Sequence, residues 1–313
     1  MTEQVSFEGR SVLVTGGGRG LGRAFALELA RRGAAVVVND AGVATDGSGS
    51  SNTPADEVVA EITAAGGRAV AAVERIGTPE AADALVEKTV REFGAIDAVI
   101  SAAGILTDGD FDAVTPADFD RVVQTNFTGS FWVAQSAYRA MKASGGGRIV
   151  LVSSNTGIFG TKLQSAYAAS KSALLGLVRA IALEGEPHGV LANGILPVAV
   201  TRLAGVRTTP APELATALQA VGHRLTPENV APLGVYLASE RCTTSGDLYS
   251  AIGGRYARVL VGVTDGWLNP DDVTDVDDLA ANWDEVRSLD AFSRPQTGHE
   301  ELTDVAARLQ PAR

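Results

Sequence analysis

Three residues in one short stretch, SSNTGIFGTKLQSAYAASK (153–171), could carry acid–base chemistry: Ser154, Tyr167 and Lys171. The run from Ala166 to Leu183 is rich in Ala and Leu and holds no Pro, which predicts a helix. Positions i and i+4 share a helix face, so Tyr167 and Lys171 project side by side. A phenol is a poor base near neutral pH, with a reference pKa of about 10. Moving it toward about 7 needs roughly 4 kcal/mol of preferential stabilisation of the phenolate. A lysine ammonium one turn away supplies part of that, and a bound cationic ring would supply more. Such a phenol exchanges a proton with an alcohol or carbonyl oxygen while hydride moves at carbon, and Ser154 hydrogen-bonds the same oxygen. Taken alone, Tyr-x-x-x-Lys is also the spacing of an ordinary amphipathic helix, so the rest of the chain has to decide.

The elements that must position these groups read as an alternation of strands and helices. Arg148 to Val152 is an apolar run, so Ser154 falls just past the C-terminal end of a strand. In an open parallel sheet that edge is where ligands bind. Ser11 to Thr15 predicts a buried strand, followed by GGGRGLGRAFALELARRG, Gly-rich before it becomes helical. Gly16, Arg19, Gly20 and Leu21 lie in that turn. Its glycines let the backbone approach a pyrophosphate, and the helix N-terminus adds N–H donors and a positive dipole end. The strand–turn–helix–strand context is the one a dinucleotide fingerprint requires. Asp40 closes the second strand, Ala34 to Asp40, where an acid accepts from both adenine-ribose hydroxyls and repels a 2′-phosphate. NAD is therefore favoured over NADP. Arg19 is a counter-signal, because it could reach a 2′-phosphate.

Ala41 to Thr53 is a long polar loop without periodicity. Helices are expected at 54–65 and 79–93 and strands at 68–73 and 96–101. Glu74 and Arg75 then fall where adenine would rest. Ala102, Ala103 and Gly104 are small enough for close contact with a cofactor ribose. One long helical pattern, 116–141, contains Asn126. Bonded to backbone, Asn126 would mark a kink; through a water, it could link Lys171 to solvent. A sixth strand, Val190 to Leu196, runs into Pro197. Thr201 could hold a nicotinamide carboxamide or cap a helix, and 204–224 reads as a cover over the substrate. A helix is expected at 227–239 and a last strand or hairpin at 247–263. The acidic tail carries helical patterns at 276–288 and 300–309. The chain thus divides into 1–265, holding the site, and 266–313, an extension of the same domain.

The 313 residues carry a formal net charge of −11, which argues against non-specific nucleic-acid binding. A single cysteine, Cys242, excludes an internal disulfide framework, and three scattered histidines give no metal spacing. No apolar run nears the length of a membrane span. The expectation is a soluble, cytoplasmic protein with a small-molecule substrate, no metal, no nucleic-acid partner and no membrane.

As a set, TGGGRGLG, Asp40, SAAG, Asn126, Ser154, Tyr167-AAS-Lys171 and Pro197 resembles the short-chain dehydrogenase/reductase family over roughly residues 6–262. The resemblance implies an α/β, Rossmann-type doubly wound sheet of seven parallel strands. It also implies hydride transfer between NAD and a secondary alcohol or ketone, an Asn126–Ser154–Tyr167–Lys171 tetrad, a cofactor contact at Pro197, and a homodimer or homotetramer. A narrower likeness runs through VVVND, the Gly/Ser loop, ENVAPLGVYLASERC and ANWDEVRSL. It is to the dehydrogenase part of the peroxisomal multifunctional enzymes of type 2, and it implies a D-3-hydroxyacyl-CoA or 17β-hydroxysteroid substrate. Ser101-Ala102 departs from the family's paired asparagines, Val198 from its glycine and Glu74-Arg75 from its Asp-Val. Two other readings keep the fold. One is a ketoreductase on a small or polyketide-like carbonyl. The other is a non-catalytic nucleotide binder, which would have no need of the whole tetrad.

Overall fold

Parallel strands covered on both faces read as unbroken apolar runs. Strands β1 (Ser11–Thr15), β2 (Ala35–Asn39) and β4 (Ala98–Ser101) are accordingly buried at every position. In the computed structural model, which describes residues 4–202, 216, 219–269 and 273–309, they form the centre of an eight-stranded sheet. The others are β3 (Arg68–Ala72), β5 (Gly147–Val152), β6 (Val190–Val198), β7 (Leu248–Ile252) and β8 (Arg255–Val259). Their order is β3-β2-β1-β4-β5-β6-β7-β8, and β1 to β7 pair in parallel throughout. The seven parallel strands expected are β1 to β7, and β8 adds an eighth at the β7 edge. Gly253 and Gly254, at φ of 56° and 86°, turn the chain back into β8, the pair of positive φ values that a two-residue hairpin needs.

Helices α1 (Gly20–Arg31), α2 (Thr53–Ala64), α3 (Pro79–Phe93), α4 (Pro116–Val123) and α5 (Gly129–Ser144) connect the first five strands. Helix α6 (Thr156–Phe159), α7 (Ser165–Gly185) and α8 (Ala231–Ala238) follow. Phe25 and Leu29 of α1 pack with Val12, Val14, Val36 and Val38 of the sheet and Val235 and Leu237 of α8. The strand order reverses between β1 and β4, so the turn after β1 and the turn after β4 splay apart. That crevice is where a doubly wound sheet binds its ligand.

Two expected helices are interrupted. Gln124–Thr128, between α4 and α5, is π-helical. The expected helix over 276–288 breaks into α9 (Val276–Ala281) and α10 (Trp283–Val286). At the break, the Asn282 amide donates to the Asp278 carbonyl at 2.8 Å, a local bond that competes with regular helix. The stretch 165–188, α7 and the turn after it, is long and apolar enough by composition to cross a membrane, against the sequence expectation. It packs on β6 and α6 and carries Tyr167 and Lys171, which marks it as a core helix.

The chain forms two compact units, Met1–Arg258 and Val259–Arg313, with the division earlier than the one expected after residue 265. The second contains β9 (Val263–Thr264) paired antiparallel with β10 (Phe292–Ser293), α9, α10 and α11 (Gly298–Leu309).

Candidate active site

The crevice between β1 and β4 is an open groove. Gly16, Arg19, Gly20, Leu21, Asp40, Glu74, Arg75, Ala102, Ala103, Gly104 and Thr201 all line it. Pro197 does not; it sits within β6, paired with Ala251 of β7. A Cβ on Gly16, at φ 66°, would lie 2.7 Å from the Ala103 Cα. A Cβ on Gly22 would lie 2.1 Å from the Gly16 carbonyl oxygen. Glycine is therefore what lets the turn, the start of α1 and the β4 exit close on one another.

Asp40 is buried, and its carboxylate is oriented by backbone: Gly18 N donates to Oδ2 at 3.0 Å and Gly42 N to Oδ1 at 2.8 Å. A carboxylate accepts about four hydrogen bonds, so lone pairs remain for a ribose diol. The Oε2 of Glu74 is buried with no hydrogen-bond partner, an acceptor suited to an adenine amine. Arg75 does something else. Its guanidinium donates to the carbonyls of Gly47 (3.0 Å) and Gly49 (2.7 Å), fastening the long loop after β2 along the groove. Val43, Gly47, Thr125 and Arg202 also line the groove and were missed from sequence. Arg202 and Thr125 carried a signal only as the neighbours of Thr201 and Asn126. These features together fit a nicotinamide dinucleotide.

The tetrad stands beyond the Gly104 end of the groove rather than among its lining residues. Ser154 follows β5, and its Oγ accepts from Thr156 N at 3.2 Å as the chain turns into α6. A Cβ on Gly157 would lie 2.9 Å from Ser172 N, so α6 rests directly on α7. Ser154 Oγ donates to Asn155 Oδ1 at 3.3 Å and is near enough to the Tyr167 hydroxyl to favour its phenolate form. Lys171 is 3% exposed, and its Nζ donates to the Val152 carbonyl at 2.8 Å. The same Nζ lies 5.9 Å from the centre of the Tyr167 ring. A Cβ on Gly104 would sit 3.4 Å from both Lys171 Nζ and Asn126 Oδ1, so Gly104 joins the tetrad to the groove.

The electrostatics correct one expectation. Burial raises the Tyr167 phenol above its usual pKa, and Ser154 only partly opposes this. Burial also pulls the Lys171 ammonium down to about 8. The chain's own lysine is thus not enough to acidify the phenol. Asn126 takes the structural side of its two readings. Its Oδ1 accepts from Ile105 N at 2.8 Å, and its Nδ2 donates to Ile105 O at 3.0 Å and to Ser170 Oγ at 3.1 Å. Both N–H donors of the amide are thus engaged, and Oδ1 keeps one lone pair. Ser101, standing where the family has asparagine, donates to Ser130 Oγ at 3.1 Å.

A family model for short chain dehydrogenases matches residues 10–209. The chain is 40% identical over 280 residues to a short-chain type dehydrogenase/reductase of Mycobacterium tuberculosis, covering 90% of this chain and 94% of the relative. It is 38% identical over 317 residues to the peroxisomal multifunctional enzyme type 2 of Mus musculus, covering 99% of this chain but 41% of that longer protein. The full-length peroxisomal multifunctional enzyme type 2 of Drosophila melanogaster superposes with a TM-score of 0.79 at 29% identity, over 97% of this chain and 50% of that one. With the glycine turn, the Asp40 strand end and the Ser154–Tyr167–Lys171 cluster in place, the chain belongs to the short-chain dehydrogenase/reductase family of oxidoreductases.

Proposed function

We propose that the protein is an NAD-dependent dehydrogenase of a bulky secondary alcohol, a D-3-hydroxyacyl-CoA or a 17β-hydroxysteroid. One observation carries the reading: buried Lys171, its Nζ 5.9 Å from the centre of the Tyr167 ring, stands at the Gly104 end of a glycine-walled groove, with Ser154 acting on the same phenol. Asp40 favours NAD over NADP, and the likeness to the multifunctional enzymes supports the substrate class. We also propose a homodimer or homotetramer, for which light scattering on the purified protein is the check.

Tyr167 takes the proton of the substrate hydroxyl as the carbon–oxygen double bond forms, and Ser154 Oγ holds the same oxygen in line. Bound in the groove, an oxidised nicotinamide would supply the hydride acceptor and a further positive charge. Lys171, fixed by the Val152 carbonyl, keeps a positive charge beside the phenol as the phenolate develops. In the reverse direction Tyr167 returns the proton to the carbonyl oxygen.

The test is Tyr167→Phe. Turnover should fall by at least about two orders of magnitude, the scale of a lost general acid–base, while NADH affinity holds. Wild-type turnover in that variant would remove Tyr167 from the chemistry. Absorbance at 340 nm with NAD and a panel of 3-hydroxyacyl-CoA thioesters and hydroxysteroids separates the two substrate classes.

A further inference from the structure

Two cations converge on one neutral acceptor at the groove. The Arg19 guanidinium donates to the Val43 carbonyl oxygen at 3.1 Å, and the Arg202 guanidinium donates to the same oxygen at 2.8 Å. Arg19 comes from the glycine turn after β1 and Arg202 from the segment after β6, and both line the groove. Neither makes an ion pair among the described residues. Among the described residues Asp40 is the one carboxylate whose charge favours the Arg202 cation, and the Arg19 charge works against it more strongly. Asp40 itself is engaged by Gly18 N and Gly42 N.

A chain of net charge −11 has carboxylates in excess for any arginine that needs one. Holding two guanidiniums on one carbonyl instead leaves their repulsion only partly offset, by Asp40. An anion shared between them turns that repulsion into two attractions. A guanidinium has five N–H donors, so each arginine keeps most of its fork for such a ligand after the Val43 bond. The glycine turn and the start of α1 open into the same groove, which adds N–H donors suited to phosphate oxygens.

We propose that Arg19 and Arg202 clamp the pyrophosphate of the dinucleotide, with Arg202 a cofactor-binding residue delivered by the segment after β6. This rests on the nicotinamide reading given above. A 2′-phosphate is the other source of the same phosphate chemistry, and Asp40, close enough to act on Arg202, disfavours it.

The experiment measures binding without turnover. NADH and NADPH are titrated by fluorescence, and ADP and adenosine by calorimetry, against the full chain and the variants Arg202→Gln, Arg202→Lys and Arg19→Gln. Arg202→Gln and Arg19→Gln should each weaken NADH and ADP at least about tenfold and leave adenosine within about twofold, the scale of one charged hydrogen bond. Arg202→Lys should lose part of that, because it keeps the charge but not the fork. The unfolding midpoint without nucleotide should stay the same or rise, since one repelling charge is gone. Wild-type NADH affinity in Arg202→Gln overturns the clamp. So does a loss confined to NADPH, which would reassign the arginines to a 2′-phosphate. Equal losses for adenosine with a lowered midpoint would reduce Arg202 to a tie on the loop after β2. If the unmodified chain binds neither dinucleotide, the nicotinamide reading falls and the clamp with it; if it binds NADH and the variants bind equally well, only the clamp falls.

Discussion

Lys171 shows how burial rather than sequence spacing sets the proton chemistry of the site. Its pKa is drawn from 10.5 to about 8 by desolvation, while burial pushes Tyr167 the other way, above 10. Between about pH 8 and 10.5 the unfolded chain binds the lysine proton and the folded chain does not, so this group makes stability rise with pH across that window. Below about pH 8 the cost of the buried charge stands in full. Tyr167 acts oppositely and later: above pH 10 the folded chain keeps a proton that the unfolded chain has lost, and stability falls. The interval from about 8 to 10 therefore belongs to Lys171. Denaturant unfolding of the wild type and Lys171→Met at about pH 7.5 and about pH 9.5 should show the wild type gaining about 2 kcal/mol on the variant between the two. A pH-independent difference would mean that the ammonium is not desolvated in the fold.

The segment from α4 to α5 is where one side chain decides the course of a whole element. Composition reads 116–141 as one helix, and only tertiary bonding explains the π-helical turn at Gln124–Thr128. Asn126 satisfies both backbone groups of Ile105, just beyond the β4 exit, and bonds Ser170 on α7. Asn126→Ala would leave two buried backbone groups without partners. It should destabilise the fold by about 2–4 kcal/mol, read as a lower urea midpoint at an unchanged m-value. A variant within about 0.5 kcal/mol of wild type would show that water replaces the amide there. The same element shows what sequence could and could not reveal. The presence of Asn126 was visible, and so were Ser154, Tyr167, Lys171, Asp40 and the glycine turn, because their chemistry demands those residue types at those spacings. Arg202, Val43 and Thr125 were not, because segments far apart in sequence bring them to the groove. Arg75 was noticed as a groove residue, which it is, but its bonds to the carbonyls of Gly47 and Gly49 were not legible, because a loop without periodicity gives no warning of such a partner.

Across the whole molecule, burial is divided unequally between the two units. Every buried residue described lies in Met1–Arg258, and none lies in Val259–Arg313. Sequence reads the tail as a continuation of one domain because no repeat and no linker composition sets it apart. The apolar positions of α11, Leu302, Val305 and Leu309, do share a face at helical spacing, yet Leu302 and Leu309 are 68% and 60% exposed. Hydrophobic period marks a face as apolar and says nothing of whether it is covered. A segment of this size whose best-covered side chains, such as Trp267, Leu268 and Val286, are only part-buried has little to offset roughly 1–2 kcal/mol of backbone entropy per ordered residue. A peptide of residues 259–313 should therefore show no cooperative thermal transition by circular dichroism. The fragment 1–258 holds the buried core and every groove-lining residue, since the last of these is Arg202. It should melt in one cooperative step and bind NADH as the full chain does. A cooperative transition in the isolated peptide would mean that the tail builds a core of its own. Loss of NADH binding in the fragment would mean that the groove depends on the tail for its shape.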